Sequence, residues 1–146
     1  EIWHAGDIGH ELVADRLEAF KPLRAVWGNI DGHPLRRRFP EVLHFKIEEV
    51  PVLMLHIGGY PPSYNPAARS LLDQHHPHLF VCGHSHILKV MPDAARQLLH
   101  LNPGACGREG WHQKATLMRF QVNGDHIEGL EVLEFEKKGK QQVLYS

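Results

Sequence analysis

Leu79-Phe80-Val81-Cys82-Gly83-His84-Ser85-His86 reads as a buried strand that delivers two histidines, one residue apart, to the point where it leaves the core. Four consecutive apolar residues suit a short strand covered on both faces, and Gly83 lets the backbone turn and approach another group closely. Taken alone, the pair is either two ligands or the polar end of a strand. Residues two apart in an extended segment lie roughly 6.5 Å apart on one face. His84 and His86 can therefore address two ions separated by the ~3.5 to 4 Å of a two-metal centre.

The same form recurs along the chain. Ala5-Gly6-Asp7 closes a strand over 2–5, Trp27-Gly28-Asn29 closes one over 23–27, and Leu55-His56 lies at the end of one over 52–57. Ligands of α/β sheets bind outside the carboxyl ends of the strands, so Asp7, Asn29, His56, His84 and His86 are expected to converge. One carboxylate, one amide oxygen and three imidazoles suit a borderline divalent ion better than calcium or a structural zinc. Manganese, iron, zinc and nickel all remain open. Asp7, with two carboxylate oxygens, is the natural bridge. The 13 histidines in 146 residues raise the expectation of a metal site without locating it.

Gly6-Asp7, Gly28-Asn29, His56 and Gly83-His84-Ser85-His86, in that order, resemble the motif set of the calcineurin-like metallophosphoesterases, over essentially the whole chain. Val26-Trp27-Gly28-Asn29-Ile30-Asp31 and Asn102-Pro103-Gly104 resemble in particular the small bacterial and archaeal phosphodiesterase branch, which also includes the eukaryotic retromer subunit. The resemblance implies an α/β fold, a four-layer α-β-β-α sandwich of two mixed sheets. It also implies two divalent ions, with manganese preferred, and a metal-bound water as nucleophile on a phosphodiester. Asp7 would bridge both ions, Asn29, His56 and His84 would complete one site, and His86 would belong to the other. The family's first motif, Asp-x-His, has no counterpart between Glu1 and Ser146. It is expected on a first strand ahead of Glu1, about half of a ~30-residue β-α-β unit upstream.

Two departures bear on chemistry. Many relatives carry Gly-Asn-His where this chain has Gly28-Asn29-Ile30, and Ile30 cannot donate a proton to a leaving group. His33, or a histidine from upstream of Glu1, is a weak substitute. His56-Ile57-Gly58 replaces the His-Gly-His common in the family, so that pocket wall differs. The alternative readings implied by the same fold are a protein-binding scaffold and a phosphomonoesterase or pyrophosphatase.

The remaining sequence bounds these expectations. The chain is expected to form a single domain over 1–136 with a polar tail over 137–146. Helices are predicted over 10–20 and 65–74, the second with Asn65 as N-cap and Pro66 at its first position. Strands over 42–48 and 52–57 should pair through Glu49-Val50-Pro51, and strands over 115–122 and 127–135 through an Asn123-Gly124-Asp125 turn. Strands are also expected over 79–82, 87–91 and 98–101. The formal charge of −1 gives no basic field for nucleic acid or an anionic membrane. Arg36-Arg37-Arg38 reads as a solvated surface, and His4, His10, His75, His76, His78, His100, His112 and His126 as structural or surface residues. The longest apolar run, near Val50 to Ile57, is far short of the ~20 residues of a membrane span. Cys82 and Cys106 fit half-buried reduced thiols, which favours the cytoplasm. A small phosphate ester is the expected partner, and homo-oligomerisation is left open.

Overall fold

The computed structural model describes residues 1–137; the expected tail beyond Lys137 lies outside the described residues. The chain opens with β1 (Ile2–His4), α1 (Glu11–Phe20), β2 (Leu23–Ala25) and α2 (His33–Arg38). It continues through β3 (Val42–Ile47), β4 (Val50–Leu55), β5 (Gly59–Tyr60), β6 (Ser63–Tyr64), α3 (Pro66–His75) and β7 (Leu79–Val81). β8 (Lys89–Asp93), β9 (Leu98–Asn102), β10 (Lys114–Asn123) and β11 (His126–Glu136) complete it.

A mixed five-stranded sheet in the order β3-β4-β7-β9-β8 forms the centre, with β4, β7 and β9 parallel. Strand alternation sorts its side chains between two cores. Leu53, Leu55, Phe80 and Leu98 face α3, packing on Ala68 and Leu72. Val50, Val52, Met54, Leu79, Val81 and Leu101 face the opposite way, toward Trp3 of β1 and Met118 and Phe120 of β10. Trp3 stands edge-on to both Phe45 and Phe120, at 5.1 and 5.4 Å between ring centroids. Beyond β1-β2, the residues Ala14, Ala25, Leu35 and Phe39 form a third core with α1 and α2. The layers are thus α3, the five-stranded sheet, the β1-β2 and β10-β11 ladders, then α1 and α2. The second β layer consists of two separate two-stranded ladders where a continuous sheet is expected from the sequence.

The elements depart from the sequence reading at their ends and at one helix. The β3-β4 turn is Glu48-Glu49, since Ile47 pairs with Val50, and Pro51 lies within β4. The β10-β11 loop is Gly124-Asp125; Asn123 pairs with His126, and the positive φ of +61° belongs to Gly124. His10 caps α1 and Asn65 caps α3, each accepting a backbone N–H of the first turn. α2 escapes a periodicity reading because its six residues hold one buried side chain, Leu35. His100, expected at the surface, is fully buried beside Phe80 and Tyr64. Cys82 is buried and Cys106 exposed, in place of two half-buried thiols. Burial pushes the Cys82 thiol up to about 12, which keeps it protonated at neutral pH. No described helix is long and apolar enough to cross a membrane.

Candidate metal centre

Every expected ligand sits in a turn immediately beyond a strand of the two β layers. Asp7 follows β1, Asn29 follows β2, His56 follows β4, and His84 and His86 follow β7. The turns are sharp enough to put three of these side chains in the left-handed region, with φ of +58° at Asp7, +68° at His84 and +58° at His86. Such backbone is uncommon for non-glycine residues and costs about 1–3 kcal/mol per residue, so the surrounding structure must impose it. Gly28 is required by close approach: a Cβ there would strike the backbone and carboxylate of Asp7.

Asp7, His56 and His84 bring one ligand atom each within 4.8 Å of one another, and Asn29 joins them. Asn29 Oδ1 is 3.0 Å from His56 Nε2 and 2.9 Å from His84 Nδ1, while Asp7 Oδ2 is 3.2 Å from His56 Nε2. His56 Nδ1 is 2.6 Å from the carbonyl oxygen of Ala5. A carbonyl only accepts, so Nδ1 donates there, and a neutral His56 ring turns its Nε2 lone pair toward two further electron-rich oxygens. With Asn29 presenting Oδ1 rather than its NH2, a metal ion among these atoms resolves the meeting of lone pairs. Separations of 2.9–3.2 Å also match the ligand-to-ligand edges around an ion bound at about 2.0–2.2 Å. The donor set therefore fits a borderline divalent metal in both composition and spacing.

His86 stands outside this group. It packs edge-on against His112, with ring centroids 5.3 Å apart. Burial, and then the neighbouring His112, hold its pKa below the ordinary imidazole value. His33 is exposed in the first turn of α2, and no hydrogen bond links it to the four converging residues among the described residues. Ile30 is 64% exposed beside Asn29.

Around the ligands stand supporting residues, among them Asp31, which the sequence marks as a loop-structuring carboxylate rather than a ligand. Asp31, 2% exposed, accepts N–H groups from Gly9 at 2.7 Å and Gly28 at 2.8 Å, tying the two loops that carry Asp7 and Asn29. Arg36 donates to the carbonyls of Asp31 and Asn29 and stacks 4.3 Å from the Trp27 ring, so it is no free surface cation. Asn102 donates to Gly83 O and Ser85 Oγ and accepts from Gly104 N–H, clamping the histidine loop. His4 accepts the Gly6 N–H through Nδ1, and burial lowers its pKa. A pocket of about 110 Å³ opens beside His84, with Ile57, Tyr60, Ser85 and Lys89 among its walls. Lys89 Nζ lies 4.2 Å from the Tyr60 ring centre. A larger hollow of about 500 Å³, at the end of α3 and the β8-β9 turn, shares none of the candidate ligands.

The profile of the calcineurin-like phosphoesterase superfamily domain matches residues 1–125. This chain belongs to the calcineurin-like phosphoesterase superfamily. Solved structures with the same fold include zinc-complexed Vps29 of Entamoeba histolytica, 15% identical with a TM-score of 0.70, over 93% of this chain and 81% of that one. A predicted phosphoesterase of Streptococcus pneumoniae is 18% identical with a TM-score of 0.69, over 94% and 76%. An archaeal phosphodiesterase is 18% identical with a TM-score of 0.65, over 90% and 81%. At these identities the likeness shows the calcineurin-like fold. No curated protein matches the chain in sequence.

Proposed function

We propose that this calcineurin-like chain is a metal-dependent phosphodiesterase acting on a small phosphate ester, with residues 1–136 as its single domain. The observation that carries the reading is the convergence of Asp7, Asn29, His56 and His84 on one cation-sized space. Asp7, Asn29, His56 and His84 hold one divalent ion, and Asp7 and His86 contribute to a second. Manganese is the favoured metal, with iron, zinc and nickel as competitors. When bound, such ions supply Lewis-acid activation of water and charge neutralisation at phosphoryl oxygens.

The protein's own residues supply placement. The carbonyl of Ala5 sets the His56 tautomer, Asp31 fixes the spacing of the Asp7 and Asn29 loops, and Asn102 fixes the His84 turn. Lys89 brings positive charge to the pocket wall, where an ester's anionic or polar group can lie. Ile30 offers no proton, so activated esters with good leaving groups should be cleaved far faster than alkyl esters.

The test is hydrolysis of bis-p-nitrophenyl phosphate by the full natural chain loaded with manganese, iron, nickel or zinc. Metal-dependent turnover that disappears in His84→Ala supports the reading, and no turnover with any of the four metals overturns it. The scaffold reading is favoured by one observation, the exposed apolar side chain of Ile30 beside the centre. Metal-independent capture of a protein partner, without hydrolysis, would establish it instead. Faster turnover of p-nitrophenyl phosphate than of the diester would assign a monoesterase.

A further inference from the structure

We infer that His112, on the loop before β10, is a positioning residue that holds a proton on His86 Nδ1 and thereby leaves His86 Nε2 free for a metal ion. The geometry around the pair carries this. His86 and His112 meet edge to face at an interplanar angle of 84°. The Nδ1 atoms of both rings are sealed from water and have no hydrogen-bond partner among the described residues. His112 Nε2 lies 2.9 Å from the carbonyl oxygen of Gly107. That oxygen can only accept, so Nε2 carries the hydrogen, and Nδ1 of the neutral ring presents a lone pair.

The space between the rings is narrow and shared. Gly110, at φ +109°, closes over it; a Cβ there would run into the Nδ1–Cε1 edge of His86 and stand 3.2 Å from His112 Nδ1. Lys137 donates to the carbonyls of Gly110 and His112, at 2.7 and 3.1 Å, and pins the loop to the end of β11. Both buried nitrogens thus border one point beneath Gly110, where no side chain fits. A proton on His86 Nδ1 satisfies both atoms once the rings turn to share one hydrogen bond. The chain then runs from His86 Nδ1–H to His112 Nδ1, and from His112 Nε2–H to Gly107. A ligating histidine commonly donates its second ring N–H in this way, which fixes tautomer and orientation together. The role of His86 as a ligand rests on the function proposed above; the hydrogen-bond assignment does not.

Tautomer and metal affinity are read separately. Two-bond proton–nitrogen correlations on the ¹⁵N-labelled, metal-free full natural chain report each ring's tautomer at about pH 8, above the ordinary imidazole range. His86 should be Nδ1-protonated in the wild type and in His112→Asn, whose amide oxygen replaces the lost lone pair. It should divide between both tautomers in His112→Phe. Zinc calorimetry should show the weaker of two binding steps falling by about 10–100-fold in His112→Phe and recovering in His112→Asn. An Nε2-protonated His86 in the wild type, or one unchanged in His112→Phe, overturns the inference. Weaker zinc binding with an unchanged tautomer also overturns it, because the loop then acts through packing alone. If the tautomers behave as expected and no variant binds zinc, the hydrogen bond stands and the metal-dependent function falls. His112→Asn keeps the test decisive should the Phe variant fail to fold.

Discussion

Asp31 presents no atom to the converging donors, yet its carboxylate sets the distance between Asp7 and Asn29 by accepting one backbone N–H from each loop. Asp31→Ala should cost about 1–4 kcal/mol of stability, because it strands the buried N–H of Gly28 at roughly 1–3 kcal/mol and breaks the bond from the exposed Gly9. The loss of that support should also weaken metal binding by about 10–100-fold. Urea unfolding and zinc titration of the same variant check both expectations; full stability with weakened zinc binding would mean that other groups hold the two loops together. Asp7→Asn tests the donor set more directly, since it keeps shape and removes the only carboxylate of the four. Zinc should then bind far more weakly, with at most a small loss of folding stability in the metal-free protein. An unchanged zinc affinity would remove Asp7 from the centre. These residues differ in legibility for a physical reason. Asp7, Asn29, His56 and His84 are visible in the sequence because each follows an apolar run. Asp31 is legible as a loop-structuring carboxylate beside Gly28-Asn29, and Asn102 only as part of a motif, whereas Arg36, in a run of three arginines, acts through carbonyls that nothing in its neighbours along the chain marks.

At the scale of elements, α3 and the histidine turns are coupled through single hydrogen bonds. Asn65 Oδ1 accepts the Ala68 N–H at 2.7 Å as an N-cap, and Asn65 Nδ2 donates to the carbonyl of Ile57 at 2.6 Å. The second bond joins the start of the helix to the residue after His56. Asn65→Ala should therefore destabilise the fold by about 0.5–2 kcal/mol, the usual cost of losing an N-cap. Asn65→Asp keeps the cap and loses the donor, so it should retain most of the stability while relaxing the His56 turn. Denaturant midpoints and zinc affinity, measured side by side, separate the two bonds. Asn65 and Pro66 are an unambiguous helix start in the sequence, whereas α2 is hidden by its brevity and its run of three arginines. The hairpin ends shifted for a related reason: Glu48 and Gln97 take positive φ without being glycine, which sequence patterns do not signal.

For the molecule as a whole, the formal charge of −1 leaves no long-range field to dominate its pH response, so buried groups decide it. The layer order was legible through the family resemblance, while apolar periodicity marked the individual strands and helices. The split of the second β layer into two ladders depends on contacts between segments far apart in the chain, and periodicity is blind to those. Contacts of that kind also bury His100. It lies fully enclosed between Cys82, Phe80 and Tyr64, and its Nε2 donates to the carbonyl of Gly59 at 3.0 Å. Burial lowers its pKa below the ordinary 6.5. Well above pH 6.5 the ring is neutral in both folded and unfolded chains, and stability is independent of its titration. As pH falls below that value the unfolded chain binds the proton first, so stability drops until the folded ring also protonates at its lower pKa. His100→Gln keeps an N–H donor toward Gly59 and removes the titration. The metal-free wild type should therefore lose more stability than His100→Gln on going from neutral to mildly acidic pH, as read from denaturant midpoints. Parallel acid limbs would mean that His100 is protonated in the folded state, and that the apolar core around it does not exclude charge.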